Sequence, residues 1–210
     1  MKKLILLLAF FYVNAYADIY DLPEPELIMS RKYEVKSELT VNLGYLPVGA
    51  FSKFVLGGAS YTKYFNDNQA WELLNVLGAA ELSSGLKKEL LDSYGADPET
   101  FPVLKFVATT NYVLSPFYTK SLLFNSSVVY SQLGFALGAG FAQFSIDPAP
   151  VIDFGIIQRF YWGENHSLKI DIRSYTYLSG RSEIQETVRN HIYVIMGYSF
   201  FFGGNVGAKL

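Results

Sequence analysis

The sequence predicts an all-β protein, an eight-stranded antiparallel transmembrane β-barrel with a short helix in one outward loop. Three observations predict this fold. Apolar and polar or small residues alternate with a period of two over most of the chain, which is the pattern of strands with two unlike faces. Tight and longer connections alternate along the chain, and aromatic residues gather at the strand ends, as in barrels that cross a membrane.

The composition is apolar for a chain that has no long hydrophobic helix. Of 210 residues, 50% are hydrophobic, 17% are aromatic and 17% are charged, whereas soluble domains carry about 25% charged residues. Beyond the N-terminus, no run approaches the roughly 18 apolar residues of a helical membrane span. The chain has no cysteine, which excludes a disulfide scaffold and a Cys-ligated metal. The net charge of −2 gives no indication of nucleic-acid binding.

The N-terminus has the three parts of a secretory leader. Met1–Lys3 is a cationic start, and Leu4–Val13 is an apolar run too short to be retained as a membrane anchor. Ala15 and Ala17 give the small-x-small pattern that signal peptidase reads, so cleavage is predicted before Asp18. Residues 1–17 are therefore predicted to be a signal peptide, and the mature protein to be exported.

The mature chain is predicted to contain a tail, one barrel domain and a short end. Residues 18–30, with Pro23 and Pro25, are expected to form an extended periplasmic tail. Residues 31–202 form the barrel domain, and residues 203–210 a C-terminal tail. The predicted strands, of which the second to fourth are the least regular, are Lys32–Tyr45, Phe54–Tyr64, Gln69–Ala80, Ala108–Phe124, Ser127–Phe144, Val151–Trp162, Ser167–Tyr177 and His191–Phe202.

One face of these strands is apolar, and the other is charged or small. The interior of an eight-stranded barrel is filled by side chains, so we expect the charged face to point inward. Buried charges must pair, and the sequence offers four of each sign: Glu34, Glu38, Asp153 and Asp171 against Lys36, Arg159, Lys169 and Arg173. The small face of the fifth strand, from Gly134 to Gly140, leaves room for long side chains. A wide pore is therefore not expected.

The connections and the aromatic residues predict which end of the barrel is which. The short turns Phe65–Asn68, Asn125–Ser126 and Gly163–Asn165 fall on the periplasmic side if the tail is periplasmic. The connections Pro47–Ala50, Glu81–Pro102, Ile146–Pro150 and Leu178–Arg189 are longer and face outward. Leucines at helical spacing within Glu81–Gly95 predict the short helix there. Interfacial girdles are predicted from Tyr64, Phe65, Phe124, Phe160, Trp162, Phe200 and Phe202 at one edge, and Tyr45, Phe144, Tyr175 and Tyr177 at the other.

Several segments resemble a known family. Tyr61–Leu73, Pro116–Lys120, Gly134–Gly140 and Leu168–Tyr177 are similar to the outer-membrane β-barrel domain proteins of myxobacteria and Bdellovibrio-like predatory bacteria, which are small eight-stranded barrels. The resemblance covers most of the mature chain. It implies a barrel in the outer membrane, with some members linked to gliding motility or to envelope machinery.

The last strand resembles the signal that the barrel-assembly machinery reads on its clients. Gly197, Phe200 and Phe202 match a glycine followed by aromatic residues three and five positions later, near the end of the chain. This signal makes the assembly machinery an expected partner during biogenesis. Outer-membrane lipid and an envelope protein are the other expected partners, and no nucleic acid is expected. The alternative for this segment is an ordinary aromatic edge strand.

The sequence contains no motif that would assign a reaction or a cofactor. The expected function is therefore that of a non-enzymatic outer-membrane barrel with a plugged interior, which stabilises the membrane or anchors a partner. The alternative is a lipid-modifying enzyme that would use His191, beside Asn190, Glu183 and Glu186, with Ser179 or Ser182 as nucleophile. A lone loop histidine is more often a surface residue, so catalysis is not expected, and no cofactor or metal is expected. A soluble β-sandwich and a lipocalin-like carrier are disfavoured, since a carrier should have a wet exterior and an apolar cavity.

Overall fold

The chain forms a closed barrel of eight antiparallel strands. The computed structural model describes residues 31–48, 53–82, 103–123, 127–145, 147–179 and 187–203. Each strand pairs with the next along the chain, and the last pairs with the first, from Ser37 opposite Phe202 to Tyr45 opposite Val194. The predicted all-β class and the eight-stranded antiparallel barrel are confirmed.

The strands are long relative to those of soluble sheets, which usually have five or six residues. None of the described residues belongs to a helix long and apolar enough to cross a membrane. The strand bounds are β1 Ser37–Pro47, β2 Lys53–Tyr64, β3 Gln69–Leu82, β4 Leu104–Leu123, β5 Ser127–Phe144, β6 Pro148–Trp162, β7 His166–Ser179 and β8 Thr187–Phe202.

Alternation gives the wall two unlike faces, as β6 illustrates. Ile152, Phe154 and Ile156 are 42–62% exposed on the outside, while Asp153 and Arg159 are buried inside. The same division holds in β8, where every second residue from Ile192 to Phe202 is exposed and the residues between them are buried. In β5 to β8 the apolar face is therefore outside and the charged or small face is inside, as the period of two in the sequence predicts.

Two ends of the barrel can be distinguished. The upper end is where β1 finishes and β2 begins, and the lower end is where β2 finishes and β3 begins. The lower connections are short, with four residues between β2 and β3 and three each between β4 and β5 and between β6 and β7. The predicted helix in the connection after β3 falls on residues 83–95, outside the described part, although Glu81 and Leu82 still belong to β3.

The upper connection between β5 and β6 is shorter than predicted. β5 ends at Phe144 and β6 begins at Pro148, so only three residues join them, as few as at the lower end. The prediction of a longer loop at Ile146–Pro150 is therefore wrong. Pro148 and Pro150 read as loop residues in the sequence, but both have outward-facing positions at the end of a strand, where a missing N–H is tolerated.

The first strand begins five residues later than predicted. Residues 31–36 precede β1, and the period of two does not extend through them. Tyr33, predicted on the outer apolar face, is buried, whereas Lys36, predicted inside, is exposed. The Lys36 carbonyl accepts a hydrogen bond from the Tyr64 N–H at 2.9 Å, and Glu34 is half-buried. These corrections follow because the alternation of faces holds only where the chain forms a paired strand, and residues 31–36 precede β1.

Three aromatic residues predicted for the outer girdle face the interior instead. Tyr175 and Tyr177 stand two and four residues after the buried Arg173 in β7, so they lie on the same face of the strand, and they are 1% and 7% exposed. Phe144 is 7% exposed and its ring packs on that of Tyr177 at 4.9 Å. Only Tyr45, which is 41% exposed, takes the predicted outward position at the upper end. Aromatic character alone does not decide the face, because the strand period does.

The hairpin of β4 and β5 extends beyond the lower end of its neighbours. Pairing of β3 with β4 ends at Gln69 opposite Leu114, and pairing of β5 with β6 ends at Tyr130 opposite Tyr161. Pairing between β4 and β5 continues to Leu123 opposite Ser127. The segments Phe117–Leu123 and Ser127–Val129, which we call the hairpin extension, therefore have a strand neighbour on one side only.

We expect Gly138→Ala to destabilise the barrel by about 1–3 kcal/mol, the range for overpacking. A β-carbon at Gly138 would lie 2.0 Å from the Thr110 carbonyl oxygen and 2.1 Å from Asn111 Oδ1. Gly57→Ala is the matched control, because a β-carbon there would meet no atom within 4 Å. Urea unfolding followed by circular dichroism measures both variants. Equal stability of the two would contradict the close approach of β4 and β5.

Candidate functional site in the interior of the barrel

The interior is organised in layers that differ in chemistry. From top to bottom these are an apolar layer, a charged cluster around Arg173, a second charged cluster around Arg159, and an aromatic layer. The strands supply each layer with residues from opposite walls, so side chains remote in sequence meet at the barrel axis. The charged clusters are the chemically distinctive part of the described chain.

Arg173 of β7 is held by three carboxylates. Its Nη1 lies 2.8 Å from Glu72 Oε2 and 3.0 Å from Asp153 Oδ2, and its Nη2 lies 2.7 Å from Asp171 Oδ2. A second bond joins Nη2 to Glu72 Oε1 at 3.1 Å, so Glu72 is bound in a bidentate manner. All four side chains are at most 1% exposed. The guanidinium is therefore bonded to carboxylates from β3, β6 and β7 at once.

Neutral groups and a second cation complete this cluster. Asn111 Nδ2 donates to Glu72 Oε2 at 2.8 Å, and Tyr193 OH donates to Asp153 Oδ1 at 3.3 Å. Lys169 Nζ lies 3.6 Å from Glu72 Oε1 and is 2% exposed. Such contacts offset part of the cost of burying the charges.

The second charged cluster lies below the first. Arg159 Nη2 lies 2.7 Å from Glu38 Oε2, and its Nη1 donates to Gln132 Oε1 at 3.1 Å. Tyr64, predicted for one of the girdles, faces the interior instead and donates its hydroxyl hydrogen to Glu38. Tyr161 OH donates to Gln132 Oε1 at 2.6 Å. The cluster joins β1, β2, β5 and β6, so it ties the wall across the barrel.

Six of the eight charges predicted for the interior lie there, and the clusters contain one that the sequence reasoning missed. The six are Glu38, Asp153, Arg159, Lys169, Asp171 and Arg173, each at most 4% exposed. Glu72 is the missed residue, whereas Lys36 is exposed and Glu34 is half-buried. The fully buried charges of the described interior are thus four carboxylates and three cations.

A β-bulge explains why Glu72 was missed. Pairing between β3 and β4 shifts between Glu72 and Asn75, and Leu73 and Leu74 are both exposed. The bulge breaks the period-two pattern, so this strand reads as irregular. The local signal that could have found Glu72 is a lone charge between the apolar residues Trp71 and Leu73.

The upper layer of the interior is apolar, which the sequence reasoning did not predict. Leu46, Phe54, Leu56, Leu77 and Leu104 are at most 2% exposed and pack together from four strands. Tyr175, Tyr193 and Ile195 belong to the same cluster. These side chains fill the upper part of the described interior.

The segment before β1 crosses the lower end of the barrel. We call residues Arg31–Lys36 the strap. The ring of Tyr33 stacks on Tyr161 at 4.6 Å, and its hydroxyl donates to the Gly163 carbonyl oxygen at 2.7 Å. Arg31 donates to the Asp67 carbonyl oxygen and to the side chain of Asn68, in the turn between β2 and β3. The strap therefore bridges two lower turns and covers the aromatic layer.

The described contacts of His191, the residue of the enzymatic alternative, are with two tyrosines. His191 lies half-buried at the upper end, with its ring 5.5 Å from Tyr175 and 5.7 Å from Tyr177. Its Nε2 is 3.3 Å from Tyr177 OH. Asn190 instead points outward and donates to Ser174 and Thr176. The described residues do not include the side chain of Ser179, nor Ser182, Glu183 and Glu186. Among the residues that the structure describes, no group of three His, Asp or Glu side chains could hold a metal ion.

The residues of the predicted assembly signal occupy both faces of β8. Phe200 and Phe202 are 38% and 53% exposed on the outside. Gly197 is buried inside, where a β-carbon would lie 2.6 Å from both Asn42 Oδ1 and Thr40 Cγ2. A larger residue at this position would therefore force the side chains of Asn42 or Thr40 to move. The predicted cleavage residues Ala15 and Ala17 lie outside the described residues.

We expect Arg173→Met to destabilise the barrel by about 3–5 kcal/mol, because it leaves three carboxylates buried without their common partner. The matched control is Arg189→Met, since Arg189 lies exposed on the same barrel and should change stability by less than about 0.5 kcal/mol. Chemical unfolding of both variants gives the comparison. A loss at Arg173 no larger than at Arg189 would show that the cluster does not stabilise the fold.

Comparison with known proteins gives no relative from which a role could be transferred. No family model matches the chain, and no curated protein matches it. The class of this protein therefore rests on its own residues: a closed barrel with ionised side chains at its centre and an apolar exterior.

Proposed function

We propose that the protein is an integral outer-membrane β-barrel with a plugged interior, which stabilises the envelope or anchors a partner and does not transport solutes. One observation supports the proposal most strongly: the barrel has the opposite distribution of charged and apolar side chains from that of a soluble protein. Its charges lie inside, and large apolar side chains cover its outside. Such a surface is disfavoured in water but suited to hydrocarbon.

The outer face supports this in detail. Leu43, Val194 and Met196 on neighbouring strands are 43–65% exposed, as are Ile152 and Phe154 across the barrel. On the outer faces of the described strands, charged side chains occur only at strand ends, namely Lys53, Lys63 and Lys105. Lysine near the interface can extend its ammonium group into the headgroup region.

Strand length also fits a membrane. A tilted strand needs about 9–11 residues to cross the hydrocarbon core, and the eight strands have 11–20 residues. The polar group of Ser174, Thr176 and Asn190 on the outer face near the upper end then corresponds to the headgroup level. Together with the predicted leader and the predicted assembly signal, these features favour the outer membrane.

The filled interior favours a structural or anchoring role. The apolar upper layer, the two charged clusters and the strap follow one another from the upper to the lower end of the barrel. Nothing in the described surroundings of His191 favours the lipid-modifying alternative, since its ring contacts are with tyrosines. The link to motility or envelope machinery remains an expectation from the resemblance.

We expect Ile172→Lys to weaken folding into lipid by about 2–4 kcal/mol, because Ile172 would lie near the middle of the bilayer. Ile172 is 49% exposed and opposite Ile156 on the outer wall. Val188→Lys is the control, since Val188 is 63% exposed near a strand end and the cost falls to about 0–1 kcal/mol near the interface. Folding is measured by titration with urea in vesicles.

The location is tested in cells at the same time. Parent protein should fractionate with the outer membrane. Recovery from the soluble periplasm, or folding of Ile172→Lys in water without lipid, would contradict the proposal, because a soluble barrel gains from an added surface charge.

We expect no stable channels when the purified protein is reconstituted into planar bilayers, because the interior is closed by side chains at both ends. An open porin added under the same conditions is the control for insertion. Stable openings of porin-like conductance would refute the plugged interior while leaving the membrane location intact.

A further inference from the structure

The buried charges of the described interior do not balance. The charged groups that are at most 4% exposed are four carboxylates and three cations, namely Glu38, Glu72, Asp153 and Asp171 against Arg159, Lys169 and Arg173. Glu38 pairs with Arg159 at 2.7 Å, so the surplus negative charge belongs to the cluster around Arg173. An uncompensated charge in a medium of low dielectric is so unfavourable that the group takes up or loses a proton instead.

Asp153 has the weakest contacts of the three carboxylates in this cluster. Glu72 and Asp171 accept hydrogen bonds from Arg173 at 2.7–2.8 Å, the length of bonds between opposite charges. Asp153 accepts from Arg173 at 3.0 Å, and its other oxygen lies 3.3 Å from Tyr193 OH. Long contacts stabilise the ionised form less than short ones, so neutralisation costs least at Asp153.

An unpartnered acceptor lies next to Asp153. Asn111 is 1% exposed, and its Oδ1 has no hydrogen-bond partner among the described residues. Gly138 lies between the two side chains in the sheet, opposite Asn111 on one side and opposite Asp153 on the other. A β-carbon at Gly138 would be 2.1 Å from Asn111 Oδ1, so this oxygen lies over the glycine. An amide oxygen and a carboxylate are both acceptors, and a proton adds a donor to this part of the interior.

The other neighbours of Asp153 leave the charge imbalance unchanged. Its described neighbours on β4 and β5 are neutral, and among them Thr109 Oγ1 donates to it at 3.5 Å. Tyr175 lies opposite it in the sheet, and tyrosine is neutral below about pH 10. Nearby carboxylates disfavour a further negative charge. The titratable and charged groups of this cluster are, element by element, Glu72 on β3, Lys169, Asp171, Arg173 and Tyr175 on β7, and Tyr193 on β8.

We propose that Asp153 holds a proton at neutral pH, so that the interior of the barrel is a binding site for one proton and its charges balance. The proton lies on Oδ1, because Oδ2 accepts the hydrogen bond from Arg173. The inference rests on the closed barrel and not on the outer-membrane location, so either can fail while the other holds.

A proton on Asp153 makes the stability of the barrel depend on pH. Aspartate in the unfolded chain is ionised above about pH 4, whereas Asp153 in the folded barrel keeps its proton. The folded state then binds one proton more than the unfolded state, so rising pH favours unfolding. Through this group alone, the equilibrium constant for unfolding should rise about tenfold per pH unit, until Asp153 ionises in the folded barrel as well.

Urea unfolding of Asp153→Asn beside the parent, from about pH 5 to pH 7, tests this, because an amide resembles a protonated carboxyl but does not titrate. We expect the unfolding constant of the parent, divided by that of the variant, to rise about tenfold per pH unit. The titrations of His166 and His191 are common to both proteins and cancel in the ratio. Glu164→Gln, which removes an exposed carboxylate, is the matched control and should give a constant ratio.

Two results of this titration would overturn the proton site. One is a ratio for Asp153→Asn that stays as constant as that for Glu164→Gln. The other is a stability that follows the sodium concentration at constant ionic strength instead of pH, since this would identify a bound metal cation in place of the proton.

Infrared spectroscopy detects the proton directly in the parent, so the test does not depend on the stability of a variant. A protonated carboxyl has a carbonyl stretch that a carboxylate lacks. The barrel is folded in detergent micelles free of ester groups, because ester carbonyls absorb nearby. We expect this band at neutral pH in the parent and in Glu164→Gln, and its loss in Asp153→Asn. No such band in the folded parent, or a band that persists in Asp153→Asn, would overturn the assignment.

Discussion

The burial of Arg173 is the constraint on which the interior depends. A guanidinium at 1% exposure is unfavourable unless its donors are bonded, and its partners Glu72, Asp153 and Asp171 come from three strands. These strands can supply carboxylates to one point only if the sheet closes on itself. The ion cluster therefore forms only when the barrel is closed, because an open sheet would expose the cluster to water.

The glycine and alanine residues of the wall make this cluster fit. Gly155 faces inward beside Arg173, and a β-carbon there would lie 2.8 Å from Arg173 Cγ. Gly138 and Gly140 leave room for the backbone of β4, which approaches them closely. A narrow barrel can hold long charged side chains only where the facing positions of its wall carry small residues. Small residues on one strand thus compensate for large residues on the facing strands.

Apolar and aromatic side chains lie above and below the charged clusters. Leu56 and Leu77 belong to the apolar layer at the upper end, and Tyr33 packs on Tyr161 at the lower end. Exclusion of water strengthens the hydrogen bonds and ion pairs between them, because the local dielectric is low. The same dryness makes each buried charge dependent on its partners, so the layers act together to specify one arrangement.

The sequence by itself determined the class of fold and the two faces of β5 to β8, because a period of two is a local property that any paired strand must show. It also identified six of the interior charges. It could not place Glu72 or the strap, since a bulge and an unpaired segment break the period of two. Tyr175 and Tyr177 alternate in step with Arg173, so the period of two, rather than aromatic character, predicts their inward position. Only closure of the barrel brings Glu72 to Arg173 over 101 residues and Tyr33 to Gly163 over 130. Such contacts depend on register around the whole ring, and that is decided by the packing of all eight strands at once.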